Sequence, residues 1–314
     1  MNVVILSART GWQTDQLCRA LAARGHLGHV MPYERLVARF GEDDALANDG
    51  FPILDADAVL ARIIPSGSLE QIIYRVNTLH WIERRGVTVM NPASVIERCV
   101  DKFYTTAIMR TAGLPVPETV VCEGTGDAIA AVRQFGGAII KPIFGSMGHG
   151  MVRVDNSDVA FRVVKALDQV GAVFYVQRVV DHGGRDVRVF VVGGRVVAAI
   201  ERRAASGEWR TNVSQGGTAH ALALPPEWEA LALQAAAAVG ADYAGVDLLP
   251  SRDGGMFVLE VNGIPGWQGL QEATGADVAG AIVDHLIARV RDRRHARDGA
   301  ARDGGAAAIS RVSE

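Results

Sequence analysis

The feature that most constrains the fold is a pair of short apolar runs near the carboxyl end of the chain. They cover Tyr243–Leu249 and Met256–Asn262, and a polar segment ending in two glycines separates them. Two such runs around a turn-forming segment predict an antiparallel β-hairpin. Because a pleated strand places residues two apart on the same side, Glu260 and Asn262 share one side of the second strand. Asp247 lies near the end of the first strand.

This hairpin gathers three oxygen-bearing side chains and neither cysteine nor histidine. Oxygen ligands of this kind suit Mg²⁺, which keeps water and substrate phosphates in its other positions. Asp247, Glu260 and Asn262 are therefore predicted metal ligands. The alternative is a surface hairpin whose acidic residues have no common role, and the rest of the chain has to decide between the two.

Length, charge and cysteine content exclude several classes of protein. With 314 residues the chain is long enough for two or three domains with their own cores. A formal net charge of −3 gives no reason to expect nucleic acid or an anionic membrane as a partner. Cys18, Cys99 and Cys122 are too few and too scattered for a disulfide framework or a zinc site.

The amino-terminal residues predict a strand rather than a signal peptide. Met1 leads directly into the apolar run Val3–Leu6, with no basic segment before it. No stretch of the sequence is long and apolar enough for a membrane span. We therefore expect a cytoplasmic protein.

The order of strands and helices predicts a mixed α/β and α+β architecture. Alternating short strands and amphipathic helices in the first third indicate a parallel sheet covered by helices. Longer strands after Asp186 are typical of an antiparallel sheet. The predicted units are an N-terminal α/β domain at 1–95, a small central α+β subdomain at 96–184, a C-terminal antiparallel-sheet α+β subdomain at 185–293 and a disordered tail at 294–314.

Two longer helices are predicted at particular places in these units. One runs from about Ala93 to Ala112 and is stopped by a glycine and a proline. The last runs from about Ala276 to Arg293. Beyond it, arginine, aspartate, glycine and alanine follow one another without periodicity, which predicts disorder.

A strand ending in lysine and followed by a glycine-rich loop is the first candidate for phosphate binding. The segment reads Lys141-Pro-Ile-Phe-Gly-Ser-Met-Gly-His-Gly150. Glycines let backbone N–H groups approach phosphate oxygens, and the lysine adds a positive charge. The lysine precedes the glycines, so this is not a Walker A loop. Paired with Lys102 it would form a two-point clamp on a triphosphate; a simple glycine turn is the alternative.

Further along the chain, other groups fit the remaining parts of a nucleotide. The backbone at Gln177–Val179, at the end of a buried strand, offers donors and acceptors to an adenine edge. Asp186 would accept hydrogen bonds from ribose hydroxyls. Arginines at strand ends suit carboxylate or phosphate, and a solvated basic edge strand is the alternative. They are Arg188, Arg202, Arg203 and Arg210, with Asn212 close by.

The sequence also lacks the signs of nucleophilic catalysis. Its histidines are scattered, its serines lack a G-x-S-x-G context, and Cys99 has no evident partner base. Lysines, arginines, glycines and Mg²⁺ ligands without a nucleophile favour phosphoryl transfer, which depends on positioning and charge neutralisation.

Taken in order, these elements resemble the ATP-grasp superfamily of carboxylate–amine ligases, and within it the RimK-type glutamate ligases. The resemblance runs from about residue 95 to 290. The matching segments are Asp101-Lys102, Lys141-Pro with Gly145–Gly150, Val176-Gln177, Gly184–Arg188, Ile200–Arg203, Trp209–Asn212, Gln215–Gly217, Ala244–Asp247 and Leu259–Gly266. The ordered set is highly specific, unlike any single segment.

This resemblance implies a three-domain ATP-grasp fold that holds ATP and two Mg²⁺ ions, for which Mn²⁺ would substitute. The implied ATP-binding residues are Lys102, Lys141, Gly145, Ser146, Met147, Gly148, Gln177, Arg178, Val179, Asp186, Arg188, Arg210 and Asn212. The implied metal ligands are Asp247, Glu260 and Asn262. The implied catalytic residues are Lys141, Arg202, Arg203 and Arg210, with Arg202 and Arg203 facing the acyl phosphate or an incoming glutamate.

Two segments depart from the RimK pattern. Arg178 stands where RimK-type enzymes usually carry glutamate, which matters if that side chain meets the base. Trp267-Gln-Gly-Leu differs from the usual RimK ending. This segment, with Ile64–Glu70, looks closer to ligases that elongate pterin- or deazaflavin-type coenzymes, including those of methanopterin-linked one-carbon metabolism.

The resulting hypothesis is an ATP-dependent ligase that joins an amino acid, L-glutamate, to an acceptor carboxylate through an acyl phosphate. Its partners would be a coenzyme-like small-molecule acid and an amino acid, and the enzyme is expected to be a homo-oligomer. Three alternatives stay open: a glutamate ligase for the C-terminus of a ribosomal protein, a ligase for another amine of the D-alanine or lysine-pathway type, and a nucleotide-binding regulatory protein that has lost turnover.

Overall fold

A computed structural model describes residues 1–145, 150–211 and 216–310, with side chains as far as 297. The chain divides into two compact units. Unit 1 comprises Met1–Ala93 and Asp277–Glu314, and unit 2 comprises Ser94–Ala276.

Strands and helices alternate along much of the chain. The strands are β1 Asn2–Leu6, β2 Leu27–Met31, β3 Leu36–Arg39, β4 Ala45–Asn48, β5 Phe51–Pro52, β6 Ala58–Ala61, β7 Thr88–Met90, β8 Thr119–Cys122, β9 Ala138–Lys141, β10 Val152–Val154, β11 Phe174–Arg178, β12 Arg185–Val192, β13 Arg195–Arg203, β14 Thr218–Ala221, β15 Tyr243–Pro250 and β16 Met256–Asn262. The helices are α1 Trp12–Ala22, α2 Leu69–Arg84, α3 Ala93–Val100, α4 Lys102–Thr111, α5 Thr125–Phe135, α6 Ser157–Asp168, α7 Pro226–Val239, α8 Gln268–Thr274 and α9 Val278–Ser310.

Unit 1 is built on the predicted parallel sheet. Its strand order is β2-β1-β6-β7, and every neighbouring pair runs parallel. Val3–Leu6 and Ala58–Ala61 are fully buried, as expected for strands covered by helices on both faces. The small antiparallel sheet β3-β4-β5 was not predicted, because its short strands carry few β-branched residues.

The last helix of unit 1 is longer than predicted. It continues past Arg293 to Ser310, so the predicted disordered tail at 294–314 is helical over residues 294–310. Arg293 donates to the carbonyls of Val87 (3.1 Å) and Glu83 (2.9 Å), and Arg294 pairs with Asp57. These contacts with distant segments continue beyond the point where the apolar periodicity ends, and periodicity was the only signal used.

The predicted helix at 93–112 is two helices. It breaks at Asp101, whose carboxylate accepts a hydrogen bond from the backbone N–H of Tyr104 at 3.0 Å. This N-cap satisfies one of the free N–H groups at the start of α4. Lys102 is consequently the first residue of a helix rather than an interior residue.

The smaller sheet of unit 2 separates a core face from a polar face. It is antiparallel in the order β10-β9-β11-β8. Ile140 and Val176 pack with the buried sides of α5 and α6. Lys141, Tyr175 and Gln177 alternate with them along β9 and β11 and therefore lie on the other face.

The larger sheet of unit 2 repeats this arrangement. It is antiparallel in the order β14-β13-β12-β15-β16. Its core face, which includes Val187, Val189, Val246 and Leu248, is buried with residues of α4 and α7. The predicted subdomain boundary after Gly184 falls between the two sheets and stays a prediction.

The hairpin predicted at the outset is the pair β15 and β16. Asp247 lies opposite Glu260, and a β-bulge follows because Leu248 pairs with Val258. Across the residues that the structure describes, no helix has the length and apolar character needed to cross a membrane.

Candidate active site

The polar face of the larger sheet carries the charged residues of the site. Asp186 and Arg188 lie two apart on β12, so they share a face. Arg202 is the cross-strand partner of Asp186 on β13, and Asp247 is the partner of Arg188 on β15. Glu260 on β16 faces Asp247 in turn. Antiparallel pairing thus brings residues far apart in sequence into one row.

Four of these residues form a buried ion-pair network. Arg202 binds Asp186 with two hydrogen bonds, 2.7 and 2.6 Å long, and also reaches Asp247 at 3.1 Å. Arg188 binds both carboxylate oxygens of Asp247, from Nη2 at 2.7 Å and from Nε. The hydroxyl of Thr211 donates to Asp186 at 2.7 Å. Every carboxylate oxygen in the network therefore accepts at least one hydrogen bond.

The network sets the charge of Arg202 and of Asp247. Burial opposes the charge of Arg202, but the carboxylates of Asp247 and Asp186 outweigh it and raise its pKa. Burial likewise favours the neutral form of Asp247, yet Arg188 and Arg202 hold the pKa of its carboxyl below the ordinary value. Both residues stay ionised at neutral pH.

The three predicted metal ligands lie on this face. Glu260 is half-buried, and burial together with the nearby Asp247 carboxylate raises its pKa, against the pull of Lys102, Arg188 and Lys141. Asn262 faces Gly245, to whose carbonyl its amide donates at 3.5 Å. Two neighbouring carboxylates and an amide oxygen, with no sulfur or imidazole, fit Mg²⁺, because a divalent cation relieves the repulsion between the acids.

The polar face of the smaller sheet carries Lys141. Its ammonium is buried and donates to Oε1 of Gln177 at 2.6 Å, and it lies 5.9 Å from the ring centre of Tyr175. Burial, reinforced by the like charge of Lys102, lowers the pKa of Lys141 to about 8, although Glu260 and Asp247 act in the opposite direction. Within the part of the chain that the structure describes, the hydrogen-bond acceptor of this ammonium is a neutral amide and not a carboxylate, so its charge is available to an anion.

Lys102 holds the start of the glycine-rich loop. Its ammonium donates to the carbonyls of Gly145 (2.7 Å) and Ile143 (3.3 Å). Burial lowers the pKa of Lys102, and Glu260 and Asp101 partly offset this. Lys102, Lys141 and Gly145 line the same cleft as the acids of β15 and β16.

Arg178, the residue of the predicted nucleobase segment that departs from the RimK pattern, has a side chain bound to other residues of the chain. Arg178 forms an ion pair with Glu118 (2.7 Å) and stacks over Phe135, with 5.2 Å between the guanidinium carbon and the ring centre. Its backbone N–H donates to the carbonyl of Glu118 at 2.8 Å. Gln177, Arg178 and Val180 line the cleft. The backbone contact with adenine predicted for Val179 stays a prediction.

The remaining arginines differ in their positions. Arg210 is half-buried, binds Glu208 at 2.7 Å and lies over Trp209. Its Nε is buried without a hydrogen-bond partner among the described residues. Arg203 is exposed and pairs with Glu201 (2.7 Å), outside the lining of the cleft.

Most of the predicted residues come together in one cleft of unit 2. Ser146, Met147, Gly148 and Asn212 lie outside the described residues, so their predicted contacts stay predictions. The predicted residues lining the cleft are Lys102, Lys141, Gly145, Gln177, Arg178, Asp186, Arg188, Arg202, Arg210, Asp247, Glu260 and Asn262.

The sequence interpretation missed several residues that support these side chains. Glu118, Glu208 and Thr211 each bond a predicted residue, and Tyr175 lies against Lys141. Pattern signals existed for Tyr175, which lies two residues before Gln177 on the same strand face, and for Thr211, which lies inside the matching segment Trp209–Asn212. Glu118 and Glu208 lie outside regular strands or helices, where periodicity carries no information.

Comparison with solved structures identifies the fold. The ATP-grasp ligase PsnB, solved with a minimal precursor, superposes with a TM-score of 0.74 over 91% of this chain and 98% of its own, at 23% identity. PsnB solved with a phosphomimetic precursor, Mg and ADP gives a TM-score of 0.73 over 92% and 98%, at 22% identity. At such identity the likeness shows the fold alone, which is the ATP-grasp fold.

Sequence comparison identifies the family. The RimK-like ATP-grasp domain matches residues 99–286. A probable alpha-L-glutamate ligase of Trichodesmium erythraeum is 36% identical over 291 residues, 91% of this chain and 96% of the relative. The tetrahydromethanopterin:alpha-L-glutamate ligase of Methanosarcina acetivorans is 34% identical over 259 residues, 74% and 80% respectively. The chain belongs to the RimK-like ATP-grasp family and is an ATP-dependent carbon–nitrogen ligase.

Proposed function

We propose that this ligase joins L-glutamate to the carboxylate of a small coenzyme-like acid, with release of ADP and phosphate. The amine is supported by the relatives, which are named alpha-L-glutamate ligases at 34% and 36% identity. The acceptor class is supported by two relatives named for tetrahydromethanopterin, from Methanosarcina acetivorans and Methanococcus maripaludis. It agrees with the departures from the RimK pattern at Trp267–Leu270.

The cleft supplies the charges that such a reaction needs. ATP, as substrate, would donate its γ-phosphoryl group to the acceptor carboxylate and leave as ADP, and the amine would then displace phosphate from the resulting acyl phosphate. Bound Mg²⁺ would neutralise the charge of the phosphates during the transfer. Lys141 on the smaller sheet and Lys102 on α4 both line the cleft, where their ammonium groups would meet the phosphates. Asp247, Glu260 and Asn262 would hold the metal on the opposite, larger sheet.

The arginines divide between holding the acids and meeting the substrates. Arg188 and Arg202 are bound to Asp186 and Asp247, which orients the carboxylates. Arg210 has an unpaired buried Nε among the described residues and is the guanidinium best placed to meet transferring phosphate. Arg203 has an exposed side chain, and a role in catalysis would require it to leave Glu201.

One observation carries the proposal. Lys141, whose charge is not neutralised by a bonded carboxylate, lines the same cleft as the paired acids Asp247 and Glu260. An unneutralised ammonium beside a group of candidate Mg²⁺ ligands suits a nucleoside triphosphate with its metal. The chain keeps all these groups, which disfavours a regulatory protein that has lost turnover.

A screen of acceptors tests the proposal. The enzyme is mixed with ATP, Mg²⁺, L-glutamate and one acceptor from a panel of pterin- and deazaflavin-type acids and a ribosomal-protein C-terminal peptide. Phosphate release and the product mass are recorded. We expect glutamate-dependent release and a mass gain of one or more glutamates with a coenzyme-type acid.

Two variants separate chemistry from background release. Lys141→Ala and Glu260→Ala should abolish acceptor-dependent release, because each removes a charge that stabilises the transferring phosphoryl group. Gln169→Met, at the exposed end of α6, should keep wild-type release. Tight ATP binding with no acceptor-dependent release across the panel would contradict the proposal, and modification of the peptide alone would transfer it to a protein acceptor.

A further inference from the structure

A chain of hydrogen bonds on the polar face of the smaller sheet surrounds Lys141. Its ammonium donates to Oε1 of Gln177 at 2.6 Å. The amide nitrogen of Gln177 donates in turn to Oγ1 of Thr119 (3.1 Å) and to the hydroxyl of Tyr175 (3.3 Å). Because both acceptors bond the nitrogen, the amide oxygen is the atom left to face Lys141.

The same chain reaches the helix that carries the other lysine. The hydroxyl of Tyr175 is 2.8 Å from Oγ1 of Thr106. Thr106 lies four residues after Lys102 on α4, and residues four apart lie on one face of a helix. The bonds through Tyr175 and Gln177 therefore connect the element bearing Lys102 with the ammonium of Lys141.

The chemical nature of the hydrogen-bond acceptor matters for a buried ammonium. An ammonium that leaves water needs acceptors, or its burial costs several kcal/mol. A carboxylate acceptor would neutralise the charge, whereas an amide oxygen orients the ammonium and leaves the charge for a ligand. Gln177 is 3% exposed and Lys141 8%, so bulk solvent does not supply an alternative hydrogen-bond acceptor for the ammonium.

We propose that Gln177 is a positioning residue whose side chain holds the Lys141 ammonium in place for the nucleotide phosphates, with Thr119, Tyr175 and Thr106 fixing the orientation of its amide. This role is distinct from the backbone contact with the nucleobase predicted for the same segment. It rests on the proposed function, in which Lys141 meets phosphate.

Nucleotide binding by the full chain tests the inference. Dissociation constants for Mg·ATP and for adenosine are measured by calorimetry with wild type, Gln177→Met, Lys141→Met and the double variant. We expect Gln177→Met to weaken ATP binding about tenfold and to change adenosine binding by less than about twofold, since only phosphates meet the ammonium. The double variant should bind ATP no more weakly than Lys141→Met, because both substitutions remove one coupled interaction.

Two further variants separate an effect on nucleotide binding from an effect on folding. Gln169→Met makes the same substitution at an exposed position and should leave both constants unchanged. Gln177→Glu keeps an oxygen beside Lys141 but adds a negative charge that neutralises it. We expect the same selective loss of ATP affinity with this variant, even if Gln177→Met does not fold.

The outcomes distinguish this inference from the proposed function. Equal losses for ATP and adenosine would assign Gln177 to the base or to the fold and overturn the inference, as would unchanged ATP binding by Gln177→Glu. Selective loss in Lys141→Met without loss in the Gln177 variants would overturn the inference and leave the proposed function standing. Unchanged ATP binding by Lys141→Met would overturn both.

Discussion

At the scale of single residues, the site consists of buried charges. Some are paired with an opposite charge, and one is bonded to a neutral group. Arg202 joins two carboxylates, and Lys141 has a neutral amide as its acceptor. Burial strengthens both the ion pairs of Arg202 and the hydrogen bond of Lys141, because charges in a low-dielectric surrounding interact more strongly. Removing a single partner should therefore have effects much larger than those of the same substitution on the surface.

Arg202→Met tests the buried network. The substitution removes a guanidinium that bonds both Asp186 and Asp247 and leaves those carboxylates buried with fewer donors. We expect the free energy of unfolding of unit 2 to fall by about 3 kcal/mol, the lower part of the range for breaking a buried ion pair. Urea denaturation with circular dichroism measures this loss.

Arg203→Met is the matched control for that experiment. The neighbouring arginine has an exposed side chain, and its pair with Glu201 is a surface contact. Its loss should change stability by less than about 1 kcal/mol. Equal losses for the two variants would show that the buried network contributes no more than the surface pair.

The pH dependence of nucleotide affinity follows from the lowered pKa of Lys141. With a pKa of about 8, this lysine is mostly charged at pH 7 and loses its charge as the pH rises through 8. The affinity of the free enzyme for Mg·ATP should therefore be steady below that range and fall above it. Calorimetric titrations from about pH 6.5 to 9.5 would measure the change.

Adenosine provides the comparison for this pH series, because it has no phosphate to meet the ammonium. Its affinity should vary little where that of ATP falls. A flat ATP profile through pH 9.5 would mean that the charge of Lys141 does not contribute to phosphate binding. The lowered pKa of Lys102 acts in the same direction, so Lys141→Arg should only partly remove the fall.

At the scale of elements, the site depends on where strands pair and where helices begin. Each of the two antiparallel sheets of unit 2 buries one face in a core and uses the other for the cleft. Helix α4 places Lys102 at its first position because Asp101 caps it. Element boundaries, rather than residue composition alone, thus determine which groups reach the ligand.

Asp101→Ala tests the importance of this helix start. Loss of the N-cap hydrogen bond to Tyr104 should destabilise unit 2 by about 1 kcal/mol. Because fraying of the first turn also displaces Lys102, the affinity for Mg·ATP should fall by several-fold, on the order of 1 kcal/mol. Unfolding and binding are measured on the same preparations.

Asn156→Ala is a matched control for the cap. Asn156 caps α6 through a bond to the backbone N–H of Val159 (2.8 Å), and α6 carries no residue of the cleft. We expect a similar loss of stability with unchanged ATP affinity. If both variants weaken ATP binding equally, the effect of Asp101 would reflect general destabilisation.

At the scale of the whole molecule, unit 1 is formed by two segments that are not continuous in sequence. Residues 277–314 follow the cleft in sequence but belong to unit 1, where α9 contacts α1 and β7. The prediction ended that helix at Arg293, because a sequence pattern cannot show that Arg293 would bond the carbonyls of Val87 and Glu83, or that the next residue, Arg294, would pair with Asp57. These contacts with distant segments hold the helix at the point where the prediction ended it.

The sequence by itself determined most of the elements and the two faces of the regular strands. Alternation along β12 and β15 decided which residues enter the core and which lie in the cleft, since a strand has a period of two, whereas the β-bulge interrupts this alternation on β16. The ordered motifs were specific enough to indicate the ATP-grasp fold and the candidate lysines and acids. Short-range physics, which depends on neighbours in sequence, is sufficient for these features.

Only the tertiary structure decided the partners. Asp186, expected to meet ribose, accepts hydrogen bonds from Arg202 and Thr211, and Arg178 is held by Glu118, 60 positions away. Strand pairing brings such residues together, and its register depends on the burial of whole sheets rather than on any local pattern. The identity of a charged residue is therefore readable in the sequence, but the neighbour that sets its charge and orientation is not.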